Sequence, residues 1–192
     1  MNMTANLLQE GILVLEKEQL RFFAAHFVAK LDQVTGKVQR ETLHGHNYKV
    51  AVEVLGSLQP QSPYIIDKND IQDATKKVCE LFHSKMLIPT RSPALEVRDC
   101  HPDRKHVTMR VVGTTETFQF PKRDALLLDL EYTSIEELAA EFARRIHALL
   151  AEKGPRVMAA LTGLRVSVQE YKGLKCFRCM ELGIQPGATQ KL

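Results

Sequence analysis

The segment Leu43-His44-Gly45-His46-Asn47-Tyr48 carries two histidines two residues apart. On a strand, such a pair points to one face, where two imidazole nitrogens can share one metal ion. A catalytic zinc needs three protein ligands and one open position. The third ligand must come from elsewhere, and His26 is the best candidate because it ends an apolar strand that would pair with this one. Spacing alone leaves a second reading open, in which His44 and His46 are half-exposed strand histidines. Cys176 and Cys179 form a Cys-x-x-Cys pair with no two further ligands nearby, and read as ordinary thiols. His83, His101, His106 and His147 read one by one as surface or boundary residues.

The elements that must position these groups follow from periodicity. Residues 20–28 and 42–56 read as strands; in the second, His44, His46, Tyr48, Val50, Val52 and Val54 share a face. The connecting stretch 29–41 is long for a hairpin loop, and long loops are more often functional. After a turn cluster at Gln59–Pro63, a helix capped by Asn69 with Gln72 three residues on would bury Ile71, Ala74, Val78 and Leu81. Residues 95–100 and 107–120 read as a β-ribbon around an exposed turn at His101–His106. A second helix is capped by Ser134, with Glu137 at its third position. Its stripe is Ile135, Leu138, Ala139, Phe142, Ile146 and Leu149, and it ends near Gly154-Pro155. Leu164, Val166, Val168 and Glu170 alternate on a further strand, a short one is expected around Cys176–Met180, and 184–192 reads as a loose tail. The order predicts one α+β domain over 1–192, with two helices packed on one face of an antiparallel sheet.

Composition narrows the function. Twenty-six Lys+Arg against 23 Asp+Glu give a net charge of +3, too mild for a nucleic-acid partner, and there is no basic run of five. Aromatic content of 6% without Trp argues against a base-stacking platform, and 44% hydrophobic residues argue against general disorder. The apolar stretches Ala24–Ala29 and Ala125–Leu128 fall well short of the ~20 residues a membrane helix needs. The run Gly11–Leu15 is followed by Glu16, Lys17 and Glu18, unlike a secretory signal. Four unevenly spaced cysteines then predict a reduced, cytoplasmic protein.

Several motifs in order resemble the 6-pyruvoyltetrahydropterin synthase family, which includes the 6-carboxytetrahydropterin synthases. They are Phe23-Ala24-Ala25-His26-Phe27, Glu41 through Tyr48, Pro63-Tyr64-Ile65-Ile66-Asp67, Lys85-Met86-Leu87-Ile88-Pro89-Thr90, Tyr132 through Ala139, and Val166-Ser167-Val168-Gln169-Glu170. The likeness spans about 20–172, with the ribbon at 91–121 as an insertion. It implies a tunnelling fold (T-fold) whose subunits join into a trimeric β-barrel, usually stacked as a hexamer, with active sites between subunits. It implies that His26, His44 and His46 hold Zn2+. It further implies that Glu170 anchors a pterin and that Thr133, Ser134 and Glu136 line the pterin pocket. A carboxylate suits the anchor because it offers two acceptors to adjacent N–H donors. The implied chemistry is proton transfer on 7,8-dihydroneopterin triphosphate, assisted by zinc and a protein base.

Two departures shape the expectation. Many members carry a cysteine base before the first His of His-Gly-His, but no cysteine lies in 29–43; Glu41 stands there instead. Members with a glutamate at that place are associated with side-chain cleavage to 6-hydroxymethyl-7,8-dihydropterin, a folate precursor. Glu41 is accordingly the expected base, against the reading of a solvated loop residue. The family's Asp-His pair falls on His83-Ser84, so His83 either relays protons or is a helix-end residue. The expected activity is a zinc-dependent pterin lyase. Alternatives are 6-pyruvoyl or 6-carboxy products, serving biopterin or queuosine synthesis, a non-catalytic pterin-binding homologue, and a structural protein without metal.

Overall fold

The computed structural model describes residues 10–58, 62–98 and 105–182. The expected tail at 184–192, Cys100, most of the His101–His106 turn and part of the Gln59–Pro63 cluster lie outside them.

The strand β1 (Glu10–His26) runs antiparallel to β4 (His44–Ser57), with His26 opposite His44 and Ala24 opposite His46. β1 starts ten residues before the expected strand, and the reason is a break in its register. Glu16 faces Ala51, but Arg21 faces Lys49, so the intervening residues bulge out. The bulge switches which residues point inward. Leu13 and Leu15 face the core before it; Leu20, Phe22, Ala24 and His26 face the core after it. A one-residue change of parity moves every later side chain to the other face, so the bulge puts His26 on the side of His44 and His46.

The expected loop at 29–41 is itself a hairpin, β2 (Ala29–Leu31) with β3 (Val38–Arg40), turned by Asp32 and by Gly36 at φ 68. Helix α1 (Lys68–Phe82) starts two residues earlier than expected. Asp67, not Asn69, caps it, and its Oδ1 accepts from Asn69 N at 2.8 Å. Its face ends on Phe82 rather than Leu81, which is exposed. The chain then forms β5 (Lys85–Pro89), parallel to β1, and later β9 (Ala125–Leu128), parallel to β5. Met86 through Pro89 are all buried, so β5 lacks the alternation that marks a half-exposed strand.

Helix α2 (Ile135–Ala151) is capped by Ser134 as expected, whose Oγ accepts from Glu137 N. A short α3 (Pro155–Ala159) leads into β10 (Leu161–Tyr171) and β11 (Leu174–Glu181). The sheet order is β11-β10-β4-β1-β5-β9. Its first four strands are antiparallel, as expected; β5 and β9 make it mixed. Both helices pack on one face, where Phe22 stacks between Tyr48 (4.6 Å) and Phe142 (5.1 Å).

The expected ribbon is a three-stranded sheet: β6 (Leu95–Arg98), β7 (His106–Val111) and β8 (Thr117–Pro121). A turn at Gly113 (φ 71) divides what read as one arm. Val107, Met109 and Val111 are buried against Phe27, Ala29 and Ile88 in a second core, separate from the helix-covered one.

Candidate metal centre

Three histidines meet where β1 ends and β4 begins. Ring centroids of His26 and His44 are 4.7 Å apart, those of His44 and His46 4.7 Å, and those of His26 and His46 5.4 Å. β10 adds Glu170, next in sequence to Gln169, which pairs with Lys49 of β4. One ligand atom from each of His26, His44, His46 and Glu170 lies within 4.8 Å of the others.

The hydrogen bonds fix the imidazoles for coordination. His26 Nδ1 donates to Thr133 O at 2.9 Å, and His44 Nδ1 donates to Thr42 O at 2.7 Å. Each bond leaves Nε2 as a lone-pair donor, the form a metal takes. His26 Nε2 is buried without a hydrogen-bond partner among the described residues, 3.4 Å from Glu170 Oε1, and His46 Nε2 is 3.0 Å from the same oxygen. An unprotonated nitrogen and a carboxylate oxygen face each other unfavourably unless a cation lies between them. Burial pushes the His26 pKa down to about 4, aided by the neighbouring His44 and opposed by the Thr133 bond. The donor set thus fits a divalent ion that accepts nitrogen and oxygen, as zinc does.

A cavity of about 740 Å³ opens over this centre, lined by Glu41, Ser134, Glu136, Glu170 and the three histidines. Glu41 is held from two sides: its N–H donates to Val28 O at 3.0 Å, and its Oε2 accepts from Val28 N at 2.9 Å. Ser134 and Glu136, which the resemblance assigns to a pterin pocket, lie on the cavity wall. Thr133 instead lies fully buried behind His26, with Oγ1 3.2 Å from Nδ1, and is not part of the lining.

His83 is not brought to this cavity within one chain. It follows α1, its ring 3.9 Å from that of Phe23, beside Ser84 in the left-handed region at φ 59. On that side lies an apolar groove of about 690 Å³, lined by Phe23, Leu43, Ser84 and Phe120; His46 borders both spaces. Cys176 and Cys179, three apart on β11, fall on opposite faces, which matches their reading as separate thiols. Sequence reasoning missed Tyr132, Tyr171 and Leu174 on the cavity wall and the role of Val28. It also missed Tyr48, whose buried hydroxyl has no partner among the described residues and whose pKa burial raises, aided by Glu170 and Glu41.

The α+β sheet covered by two helices places the protein in the tunnelling-fold class, on the strength of the solved structures it superposes on. Residues 15–175 match the profile of the 6-pyruvoyl tetrahydropterin synthase family, and the chain belongs to that family of pterin lyases. A Methanocaldococcus jannaschii protein named "Putative 6-carboxy-5,6,7,8-tetrahydropterin synthase" is 26% identical over 162 residues, covering 83% of this chain and 90% of that one. The crystal structure of 6-pyruvoyl tetrahydropterin synthase from Plasmodium vivax superposes with a TM-score of 0.78 at 24% identity, covering 90% of this chain and 99% of that chain. A variant of that protein, with a glutamate described as a catalytic residue changed to alanine, superposes with a TM-score of 0.77 at the same 24% identity and coverage of 90% and 99%. These structural likenesses carry the fold. Among the described residues, no helix is long and apolar enough to cross a membrane.

Proposed function

We propose that this protein is a zinc-dependent lyase that cleaves the side chain of 7,8-dihydroneopterin triphosphate to give 6-hydroxymethyl-7,8-dihydropterin. The observation that carries this reading is the convergence of His26, His44 and His46 with Glu170 and Glu41 on one cavity. His26, His44 and His46 hold the ion. Bound there, zinc supplies Lewis-acid polarisation of the substrate's side-chain oxygens.

The remaining work falls to the chain. Glu170 accepts hydrogen bonds from adjacent N–H groups on the pterin edge, and Ser134 and Glu136 complete the pocket. Glu41 takes the proton of the 2′-hydroxyl. The C1′–C2′ bond breaks as C2′ becomes a carbonyl, and its electron pair delocalises into the pterin ring. A proton returned to C1′ leaves the hydroxymethyl product and a triphosphate-bearing aldehyde. The Val28 bonds aim the Glu41 carboxylate at the cavity. That a glutamate is described as catalytic in the Plasmodium vivax relative supports this role.

A cytoplasmic trimer or hexamer with sites between subunits completes the reading. His83 would then relay protons in a neighbouring subunit's site. A second reading, a pterin-binding homologue without turnover, is favoured by one observation: His83 lies outside its own chain's cavity and Ser84 follows it. Turnover measured against pterin binding in the same wild-type preparation distinguishes the two, and Glu41→Ala then tests the base. Loss of turnover with zinc retained supports the lyase; unchanged turnover removes Glu41 as base.

A further inference from the structure

We propose that Arg40 is a positioning residue for Glu41, and that the sheet β6–β7–β8 is the anchor it works from. The inference rests on reading Glu41 as the base. Arg40 ends β3 and directly precedes Glu41, which lies outside any strand, as do Thr42 and Leu43. Its guanidinium packs against the rings of Phe27 (5.5 Å) and Phe118 (5.3 Å), themselves 5.2 Å apart. Nε and Nη2 both reach Glu116 Oε2, at 2.6 and 2.5 Å, and Nη1 donates to the backbone oxygen of Glu41 at 2.8 Å.

One planar side chain therefore ties three segments together. Phe27 precedes Val28, whose N–H and C=O both hold Glu41. Phe118 and Glu116 belong to the β7–β8 hairpin, which shares the second core with Phe27 and Ala29. An exposed ion pair alone would contribute little. A guanidinium packed on two rings, with three of its donors engaged, fixes direction as well as charge. It does so for a segment near the imidazoles that no ladder holds. The second sheet thereby gains a task at the site although it contributes no residue to the cavity lining.

The test uses zinc-loaded, full-length protein. Turnover of 7,8-dihydroneopterin triphosphate, zinc content and amide exchange are measured for wild type, Arg40→Ala, Arg40→Lys, Glu116→Gln, Glu41→Gln and the Arg40→Ala/Glu41→Gln double variant. Arg40→Ala should lower kcat on the order of 10- to 100-fold, with KM and zinc content unchanged. It should cost nothing further in the Glu41→Gln background. Arg40→Lys, which keeps the charge without the fork, should not restore kcat. The milder Glu116→Gln should lower kcat several-fold if Arg40→Ala fails to fold. Amide exchange at Val28 and Glu41 should quicken in Arg40→Ala, with Val52 and Val166 unaffected. Unchanged kcat in Arg40→Ala, or an equal further loss in the Glu41→Gln background, overturns the proposal. If Glu41→Gln turns over normally, the base reading falls and exchange decides the clamp alone: quickened Val28 and Glu41 amides uphold it, and unchanged ones overturn it.

Discussion

His46 Nε2 and Glu170 Oε1 lie 3.0 Å apart, and the same carboxylate oxygen is 3.4 Å from His26 Nε2. The group proposed to anchor the pterin thus abuts the group proposed to hold the metal. Ring and side chain of a bound pterin would meet the two in a single span.

That contiguity separates two functions by mutation. Glu170→Gln turns one acceptor into a donor while three imidazoles remain for the ion. Loss of charge-assisted bonds to a buried ligand costs about 3 kcal/mol, or roughly 100-fold in affinity. Pterin titration followed by fluorescence should show that weakening, with zinc content unchanged. A variant that loses its zinc instead would make Glu170 a required ligand.

The buried His26 predicts a pH dependence in chelator-treated protein. Folded His26 resists protonation until about pH 4, whereas the unfolded residue takes its proton near its ordinary 6.5. Between those values the unfolded state binds more protons. Stability is therefore full above about pH 6.5 and falls as pH drops toward 4. At ~1.4 kcal/mol per pH unit, the loss is on the order of 3 kcal/mol. Urea unfolding across that window should show it, and His26→Asn should flatten the dependence. An equal slope in the variant would assign it to other groups.

Tyr48 tests the packing beneath the site. Its hydroxyl is buried and unpartnered among the described residues, while its ring stacks on Phe22. Tyr48→Phe keeps the stack and removes the stranded polar atom, so it should stabilise the protein by about 1 kcal/mol. Destabilisation of that size would reveal a partner for the hydroxyl in solution.

Gly56 tests the far end of the same strand pair. A Cβ there would lie 2.2 Å from Ala160 O, the acceptor of the Ser57 N–H at 3.0 Å. Relief requires moving backbone, so Gly56→Ala should cost about 1–3 kcal/mol. Thermal unfolding reads it directly; an unchanged Tm would mean that the β4–α3 junction yields freely.

The three-histidine cluster was legible in the sequence because period-two spacing places His44 and His46 together, and an apolar run ends on His26. The bulge that delivers His26 to their face was not, since Glu16-Lys17-Glu18-Gln19 reads as a polar interruption rather than a change of parity. β5 escaped because burial on both faces erases alternation. The Ser134 cap was legible from its own side chain and Glu137. The α1 cap moved to Asp67 because Asp and Asn are nearly equivalent caps, and the tertiary path chose between them. Arg40 and Val28 stayed hidden because their work depends on contacts with Phe118, Glu116 and Glu41, which no local pattern reports.

The most direct test of the central claim is to incubate zinc-loaded protein with 7,8-dihydroneopterin triphosphate, identify the products by mass, and run Glu41→Gln beside it. The expected result is 6-hydroxymethyl-7,8-dihydropterin from the wild type and at least ~100-fold slower formation from the variant. Pterin binding without turnover by the wild type would contradict the lyase, and a product formed equally fast by Glu41→Gln would contradict its base.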